Sequence, residues 1–158
     1  MPATLSSRVA ALGHALPPAL PPVANFISTV RSGALLFVSG QIAVSGGTAL
    51  HPGRLGAGVS LEQGREAATG AALAVLAHVA AATGDRLAAV RRVLRLGVFV
   101  ASTPEFTEHP KVANGASDLL VAVFGDAGRH ARAAVGVAAL PLGASVEVDA
   151  VFELEADE

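Results

Sequence analysis

ARAAVGVAALPLGASVEVDAVFEL (residues 131–154) consists of two apolar runs separated by a proline and a glycine. This pattern predicts strands over 132–140 and 145–154, joined as a hairpin by the turn PLGA. Side chains along a strand point alternately to the two faces of a sheet, so Glu147 faces away from the valines on either side of it. The segment therefore predicts a sheet with one apolar face turned toward a core.

Arg132 opens the first of these strands, and His130, Ala134 and Gly136 share its face. A guanidinium keeps its charge at physiological pH, so its partial burial requires a partner. The small neighbours leave room for a small anion, which arginine can grip bidentately. An ion pair with Glu147 on the neighbouring strand, or a solvated position at the sheet edge, would also satisfy the charge.

Glu147 interrupts an otherwise apolar strand. It could position a water molecule as a general base, or it could form a solvated face together with Asp149 and Glu153. The segment VSGQ (38–41) ends an earlier strand, and by itself it indicates only a strand exit.

Outward from this segment, the pattern predicts a short helix (5–15), a proline-rich connector, two strands within 26–44, a helix (60–82), a long strand (89–102) and a helix (111–124). Ser60 and Gln63 form a capping-box pattern, and Gly84 lies where a C-terminal glycine cap belongs. The order ββ-α-β-α-ββ indicates an α+β sheet covered on one face by two helices. We assign 1–21 to an N-terminal extension and 22–158 to a single domain.

Alternation along the long strand predicts one face made of Val90, Arg92, Leu94, Leu96, Val98 and Val100.

The composition indicates which kinds of partner the protein can bind. Hydrophobic residues make up 52% of the chain and charged residues 15%. This apolar content exceeds what a small monomer readily buries, so we expect a self-association surface. The net charge is -2 and Tyr and Trp are absent, which argues against a nucleic-acid partner.

Three features of the sequence bear on the cellular location of the protein. Cysteine is absent, which suits a reducing compartment. The N-terminus does not have the pattern of a signal peptide. The longest uncharged run, 133–146, is interrupted by glycine and proline, unlike a membrane span. We therefore expect a cytoplasmic protein without a membrane partner.

Catalytic motifs of several classes are missing. The five histidines show no metal-ligand spacing, and GRLGAG (53–58) lacks the P-loop lysine. No G-x-S-x-G motif is present. We therefore expect neither a metal nor a cofactor.

Four segments together resemble one known family: FVSGQIAV, AATGAALAVLAHV, RLGVFVASTPEF and, above all, ARAAVGVAALPLGASVEVDAVFEL. In order and spacing, residues 22–154 resemble the RidA/YjgF family of reactive-imine deaminases, some of which are named L-PSP-type endoribonucleases. The most specific part is Arg-x7-Leu-Pro-x5-Glu, here Arg132, Leu140, Pro141 and Glu147.

The resemblance implies a chorismate-mutase-like fold, with a six-stranded sheet, two helices on one face and a barrel-like homotrimer with a cleft at each subunit interface. It further implies that Arg132 clamps the carboxylate of a small 2-imino acid or enamine, and that Glu147 holds the attacking water. The positions that would bind substrate are Phe26, Gly40, Gln41, Ser117, His130 and Ala134.

The chain departs from the family pattern at three of these places. Phe26 replaces the usual tyrosine, His130 replaces a proline, and Ser117 stands where an asparagine is common, with Asn114 one turn earlier. The alternatives to a deaminase are a trimeric metabolite-binding protein that uses the same cleft without turnover and, less favoured by composition, an endoribonuclease.

Overall fold

The computed structural model describes residues 3–156. Its strands are β1 (Thr29–Ser32), β2 (Leu35–Gln41), β3 (Val90–Ala101), β4 (Ala131–Val137) and β5 (Val146–Leu154). They form one sheet in the order β1-β2-β5-β3-β4. Its α-helices are α1 (Leu5–Ala11), α2 (Leu61–Thr83) and α3 (His109–Phe124). After α1, the chain follows the predicted order ββ-α-β-α-ββ, so the α+β class is confirmed.

Helix α2 begins and ends within one residue of its predicted bounds because both of its caps are local. Ser60 Oγ accepts a hydrogen bond from Gln63 N at 3.1 Å, and Ser60 N donates to Gln63 Oε1 at 3.0 Å. Gly84 ends the helix in the left-handed conformation, with φ of 63°. The helix is long and apolar enough to cross a membrane, but 56% of its most apolar window is buried within the fold, as in a core helix.

Helices α2 and α3 cross at Gly115, where any Cβ would overlap the carbonyl group of Arg65. Thr69 Oγ1 donates a hydrogen bond to Gly115 O at 3.0 Å across the same crossing. Helix α1 packs on this pair through Leu5 and Val9, which are fully buried. The two long helices are therefore fixed relative to each other.

The two faces of the sheet differ. The helix-covered face carries the fully buried side chains of the core, among them Leu96, Val98, Val148 and Phe152. The other face, which we call the open face, has exposed apolar side chains at Val30, Leu35, Phe37 and Val135. Apolar groups in a contiguous surface of this kind usually mark a contact with another molecule.

The predicted hairpin between the last two strands is wrong. Strand β3 lies between β4 and β5 and pairs with both, in parallel with β4 and antiparallel with β5. The connection between them contains a 3-10 turn at Pro141–Gly143 and passes the end of β3. The two strands are consecutive in sequence but are not neighbours in the sheet.

The expected face of β3 is only partly correct. Register shifts between Val90 and Arg92 and between Val93 and Arg95 mark two bulges, which change which side chains face the helices. Val93 is therefore buried, while Arg92 is exposed. Regular alternation resumes from Leu96.

The main sheet of the described residues has five strands, not six. Residues 43–59 instead form two small pairs: Val44–Ser45 with Thr48–Ala49, and Arg54–Leu55 with Gly58–Val59. Five glycines and one proline in this stretch interrupt an extended ladder. Short 3-10 helices at Leu87–Ala89 and Gly125–Gly128 complete the chain.

Candidate functional site

Arg132 lies on the helix-covered face of β4 and is held by neutral groups of α3. Its Nη1 donates to Asn114 Oδ1 at 2.8 Å and to Ser117 Oγ at 3.1 Å. Its Nη2 makes a longer contact with Pro110 O at 3.5 Å. Because Asn114 and Ser117 are three residues apart on one helix, they face the same guanidinium.

Within residues 3–156, no carboxylate is paired with Arg132. A guanidinium has five N–H donors, and the three contacts above engage both hydrogens of Nη1 and one of Nη2. One hydrogen on Nη2 and the one on Nε are left for a further acceptor. Nε and Nη2 are the two nitrogens of one edge by which arginine can grip a carboxylate bidentately.

His130 lies beside Ser117 and adds a further polar group next to Arg132. Its Nε2 lies 2.9 Å from Ser117 Oγ and its Nδ1 lies 2.6 Å from Gly128 O. Arg132, Ser117 and His130 also line a surface depression of about 680 Å³, whose other lining residues are Asp118, Val121, Ala122 and Arg129. The depression places these polar groups in contact with solvent. We call Asn114, Ser117, His130 and Arg132 the arginine cluster.

Ala134 follows Arg132 on the same face of β4 and packs against the core. It is not among the residues that line the depression, so its place in substrate binding stays a prediction.

A second cluster lies on the open face, around Glu147 of β5. A Cβ on Gly40 would lie 2.5 Å from Glu147 Oε1, so only glycine leaves the carboxylate its present position. Gln41, the next residue, pairs with Val148 in the ladder and donates its Nε2 hydrogen to Ser39 O at 3.3 Å. We call Gly40, Gln41, Glu147 and Asp149 the glutamate cluster.

The charge of Glu147 is poorly stabilised within one chain. Burial raises the pKa of its carboxyl group, and the negative charge of Asp149 raises that pKa further. Asp149 is itself compensated by Arg95, whose Nη1 lies 3.7 Å from Oδ1. That Oδ1 atom is buried and accepts no hydrogen bond from residues 3–156.

The two clusters lie on opposite faces of the sheet. Arg132 contacts α3, whereas Glu147 alternates with Val146 and Val148, which are buried against the helices. Strand β3 also separates their strands. An ion pair between Arg132 and Glu147 within one chain, one of the interpretations left open by the sequence, is therefore excluded.

Phe26 belongs to neither cluster in the single chain. It lies in the bend before β1, where its N donates to Ala24 O at 2.9 Å, and its side chain is 48% exposed.

Asn114 was not among the predicted substrate-binding positions, yet it makes the shortest hydrogen bond to Arg132. The helical spacing of Asn114 and Ser117 was the signal that could have identified it. The contact of Pro110 O had no signal in the sequence.

Comparison with known proteins finds a family model and relatives that match nearly the whole chain. A family model described as "YjgF/chorismate_mutase-like, putative endoribonuclease" matches residues 6–154. Protein TCP17 of Trypanosoma cruzi is 52% identical over 154 residues, which cover 94% of this chain and 96% of that protein.

Two solved structures are similar over nearly the whole chain. Protein Atu1372 of Agrobacterium tumefaciens, described as having unknown function, is 45% identical with a TM-score of 0.89, covering 96% of this chain and 92% of that one. A "putative endoribonuclease" from Shewanella oneidensis is 34% identical with a TM-score of 0.90, covering 96% of this chain and 100% of that one.

Proposed function

The chain belongs to the YjgF/chorismate-mutase-like family, and on this premise we propose that it is a hydrolytic deaminase of small 2-imino acids and their enamine tautomers. The products are a 2-keto acid and ammonia. The observation that carries the proposal is a half-buried guanidinium that lines a surface depression and that, among residues 3–156, is held by neutral acceptors of α3. We place the reaction in the cytoplasm, in keeping with the absence of cysteine.

Arg132 supplies the carboxylate clamp in this proposal. Its Nε and Nη2 hydrogens bind the two carboxylate oxygens of the substrate, which fixes the imine carbon relative to the protein. An imine carbon is already electrophilic, so orientation and an ordered water supply most of the catalysis. The neutral partners matter because an acid in their place would compete with the substrate.

Glu147 supplies the base, from a second copy of the chain. The two clusters lie on opposite faces, so one chain cannot direct both at one substrate. The open face carries the exposed apolar side chains and suits association between copies. We propose a homotrimer in which the glutamate cluster of one subunit closes the cleft beside the arginine cluster of its neighbour, with Phe26, Gly40 and Gln41 lining that cleft.

The chemistry balances without a cofactor. The oxygen of water bonds to the carbon of the protonated imine, the π pair of the carbon–nitrogen double bond moves to nitrogen, and Glu147 takes one water proton, giving a neutral carbinolamine. Glu147 then holds the proton that the nitrogen needs before it can leave. Protonation of the nitrogen then lets the carbon–nitrogen bond break, and its electron pair leaves with ammonia. Loss of the hydroxyl proton forms the keto group.

The test uses an imine generated in place, by an amino-acid dehydratase or oxidase, with keto-acid formation followed for wild type, Arg132→Ala and Arg132→Lys. Removing a hydrogen-bonded charge costs about 2–5 kcal/mol, so Arg132→Ala should lower kcat/KM by ~30-fold or more. Arg132→Lys keeps the charge but loses the fork and should lose most activity. A wild-type rate equal to that of buffer would overturn the deaminase.

A binding protein without turnover gives a different result in a companion measurement. A 2-keto acid would raise the Tm of wild type but not of Arg132→Ala, while the imine decays at the buffer rate. A labelled single-stranded RNA incubated with the purified protein should remain intact, and its cleavage at a rate lost in Arg132→Ala would favour the endoribonuclease instead.

A further inference from the structure

Ser117 and His130 form a nucleophile–base pair that the proposed deamination does not require. The Ser117 Oγ to His130 Nε2 distance is 2.9 Å, and His130 Nδ1 lies 2.6 Å from the carbonyl oxygen of Gly128. A carbonyl oxygen can only accept, so Nδ1 carries a hydrogen and donates it. In the neutral imidazole, Nε2 is then the acceptor, and the Ser117 hydroxyl donates to it.

The carbonyl oxygen of Gly128 thus acts as the third group of a nucleophilic triad. In such a triad, the base is oriented by a partner on its far nitrogen, which selects the tautomer that accepts the proton of the nucleophile. The backbone carbonyl is a suitable partner here because the short 3-10 helix Gly125–Gly128 fixes its position. Gly128 itself is buried against Leu120, where a Cβ would overlap the carbonyl of that residue.

Arg132 adds a positive charge at the same oxygen. Its Nη1 donates to Ser117 Oγ at 3.1 Å, so this oxygen accepts one hydrogen bond and donates another, and it keeps one lone pair for attack. The guanidinium favours the negative charge that develops on Oγ and on an adjacent carbonyl oxygen during attack. A serine between an imidazole acceptor and a guanidinium is activated from both sides.

A second serine–histidine pair in this protein offers a built-in comparison. Ser102 Oγ lies 3.1 Å from His109 Nε2, but Ser102 is only 8% exposed. Gly136 covers the pair so closely that a Cβ there would lie 2.6 Å from both atoms. The Ser117 pair, by contrast, lines the depression of about 680 Å³, so a small molecule can reach it.

We infer that Ser117 is an acyl-accepting nucleophile, with His130 as its general base, and that the depression hydrolyses small activated acyl esters. Ser117 Oγ bonds to the acyl carbon while its proton passes to His130 Nε2. The carbon–oxygen bond to the alcohol then breaks, and the leaving oxygen takes the proton from Nε2. Water hydrolyses the acyl-serine by the same route, so ester and water give acid and alcohol.

The experiment uses p-nitrophenyl acetate as the probe. In wild-type protein, peptide mass spectrometry should find the acetyl group on Ser117 and none on Ser102. Release of p-nitrophenol should fall by ~100-fold or more in both Ser117→Ala and His130→Gln, the usual range for loss of a nucleophile's base. His109→Gln, which breaks the covered pair, should leave the rate unchanged.

Mapping the adduct on the wild-type protein keeps the test valid if a variant folds poorly. Acetylation confined to other residues, equal labelling of Ser102, or nitrophenol release by Ser117→Ala at the wild-type rate would each overturn the inference. The deaminase is measured separately by keto-acid formation, so either activity can fail while the other stands.

Discussion

The arginine cluster and the glutamate cluster differ in how a half-buried charge is stabilised. Around Arg132, three neutral acceptors of α3 orient the guanidinium and leave two of its hydrogens for a ligand. Around Glu147, burial raises the pKa of the carboxyl group, and the negative charge of Asp149 raises it further. The first cluster is prepared to receive an anion, and the second is prepared to accept a proton.

Under the proposed function, one catalytic site is divided between the two faces of the sheet. A positive charge without an acid and a negative charge without a base are each incomplete in the single chain. Bringing two copies together through the apolar open face would complete both. The variants below alter one cluster at a time, so they test whether the two act together.

The largest expected effect comes from removing the base and then restoring it from another subunit. Glu147→Gln should lower kcat by ~10²–10⁴, the usual contribution of a general base. Refolding it together with Arg132→Ala protein should recover activity, because in a ring of subunits about a quarter of the interfaces then join an intact Arg132 to an intact Glu147.

Keto-acid formation by the mixed oligomers, isolated by size exclusion, measures this recovery. The double variant Arg132→Ala/Glu147→Gln, refolded alone, is the control. Mixed oligomers no more active than this control would show that the two clusters do not meet.

Next in size is a pair of glycine variants that perturb one cluster each. Gly115→Ala places a methyl group against the backbone of α2 at the Arg65 carbonyl, so the helices must separate. Overpacking of this kind costs about 1–3 kcal/mol, and it moves Asn114 and Ser117 away from Arg132. Urea unfolding should show the loss of stability, and keto-acid formation should fall with it.

Gly40→Ala is the matched variant for the other cluster. The three atoms nearest to its methyl group all belong to the Glu147 side chain, from Cγ to the carboxylate, and this flexible side chain can rotate away. The free energy of unfolding should therefore change by less than ~1 kcal/mol, while activity falls because Glu147 is displaced. Equal losses of stability in the two glycine variants would contradict the assigned contacts.

A smaller effect concerns pH. If Glu147 acts as the base, it must be deprotonated, and its raised pKa places the acid limb of kcat/KM above the ordinary range of a glutamate. Asp149→Asn removes the charge that contributes to this shift, so the limb should move to lower pH. Glu153→Gln, farther along the same face of β5, should leave the limb in place. An unmoved limb in Asp149→Asn would mean that another group titrates.

The raised pKa of Glu147 also determines the direction in which the free energy of unfolding changes with pH. A carboxyl group whose pKa is raised by folding binds its proton more tightly in the folded state than in the unfolded state. Its contribution is therefore most favourable at acidic pH and is lost as the pH rises from the ordinary glutamate pKa through the raised one. Glu147→Gln should flatten the pH dependence of unfolding in that window.

Local chemistry explains which parts of this fold were predictable. The bounds of α2 depend on Ser60, Gln63 and Gly84, all within the helix or beside it, and the sequence predicted them to within one residue. The pairing of β5 with β3 depends on residues about 50 positions apart in the chain, and so do the two bulges that bury Val93. Neither is visible in the alternation of a single strand.

The site follows the same division. Arg132 stands out because it opens an apolar run, and Glu147 stands out because it interrupts one. That they occupy opposite faces and strands that are not adjacent follows from the insertion of β3, which the apparent hairpin concealed. The pairing of Ser117 with His130 depends likewise on how α3 packs on β4, and no sequence motif predicts it.

The smallest expected effect is that of restoring a hydroxyl group at residue 26. Phe26 is 48% exposed in the single chain, so Phe26→Tyr should change the free energy of unfolding by less than ~0.5 kcal/mol. If its ring lines the cleft between subunits, the added hydroxyl can make one hydrogen bond to substrate or water. A net hydrogen bond contributes about 0.5–1.5 kcal/mol, so kcat/KM should rise by ~2–10-fold.

Phe37→Tyr makes the same chemical change on the open face, where it adds a polar group to an apolar contact and should bring no gain in turnover. A similar response from both variants would remove Phe26 from the residues that line the cleft and leave Gly40 and Gln41 in that role.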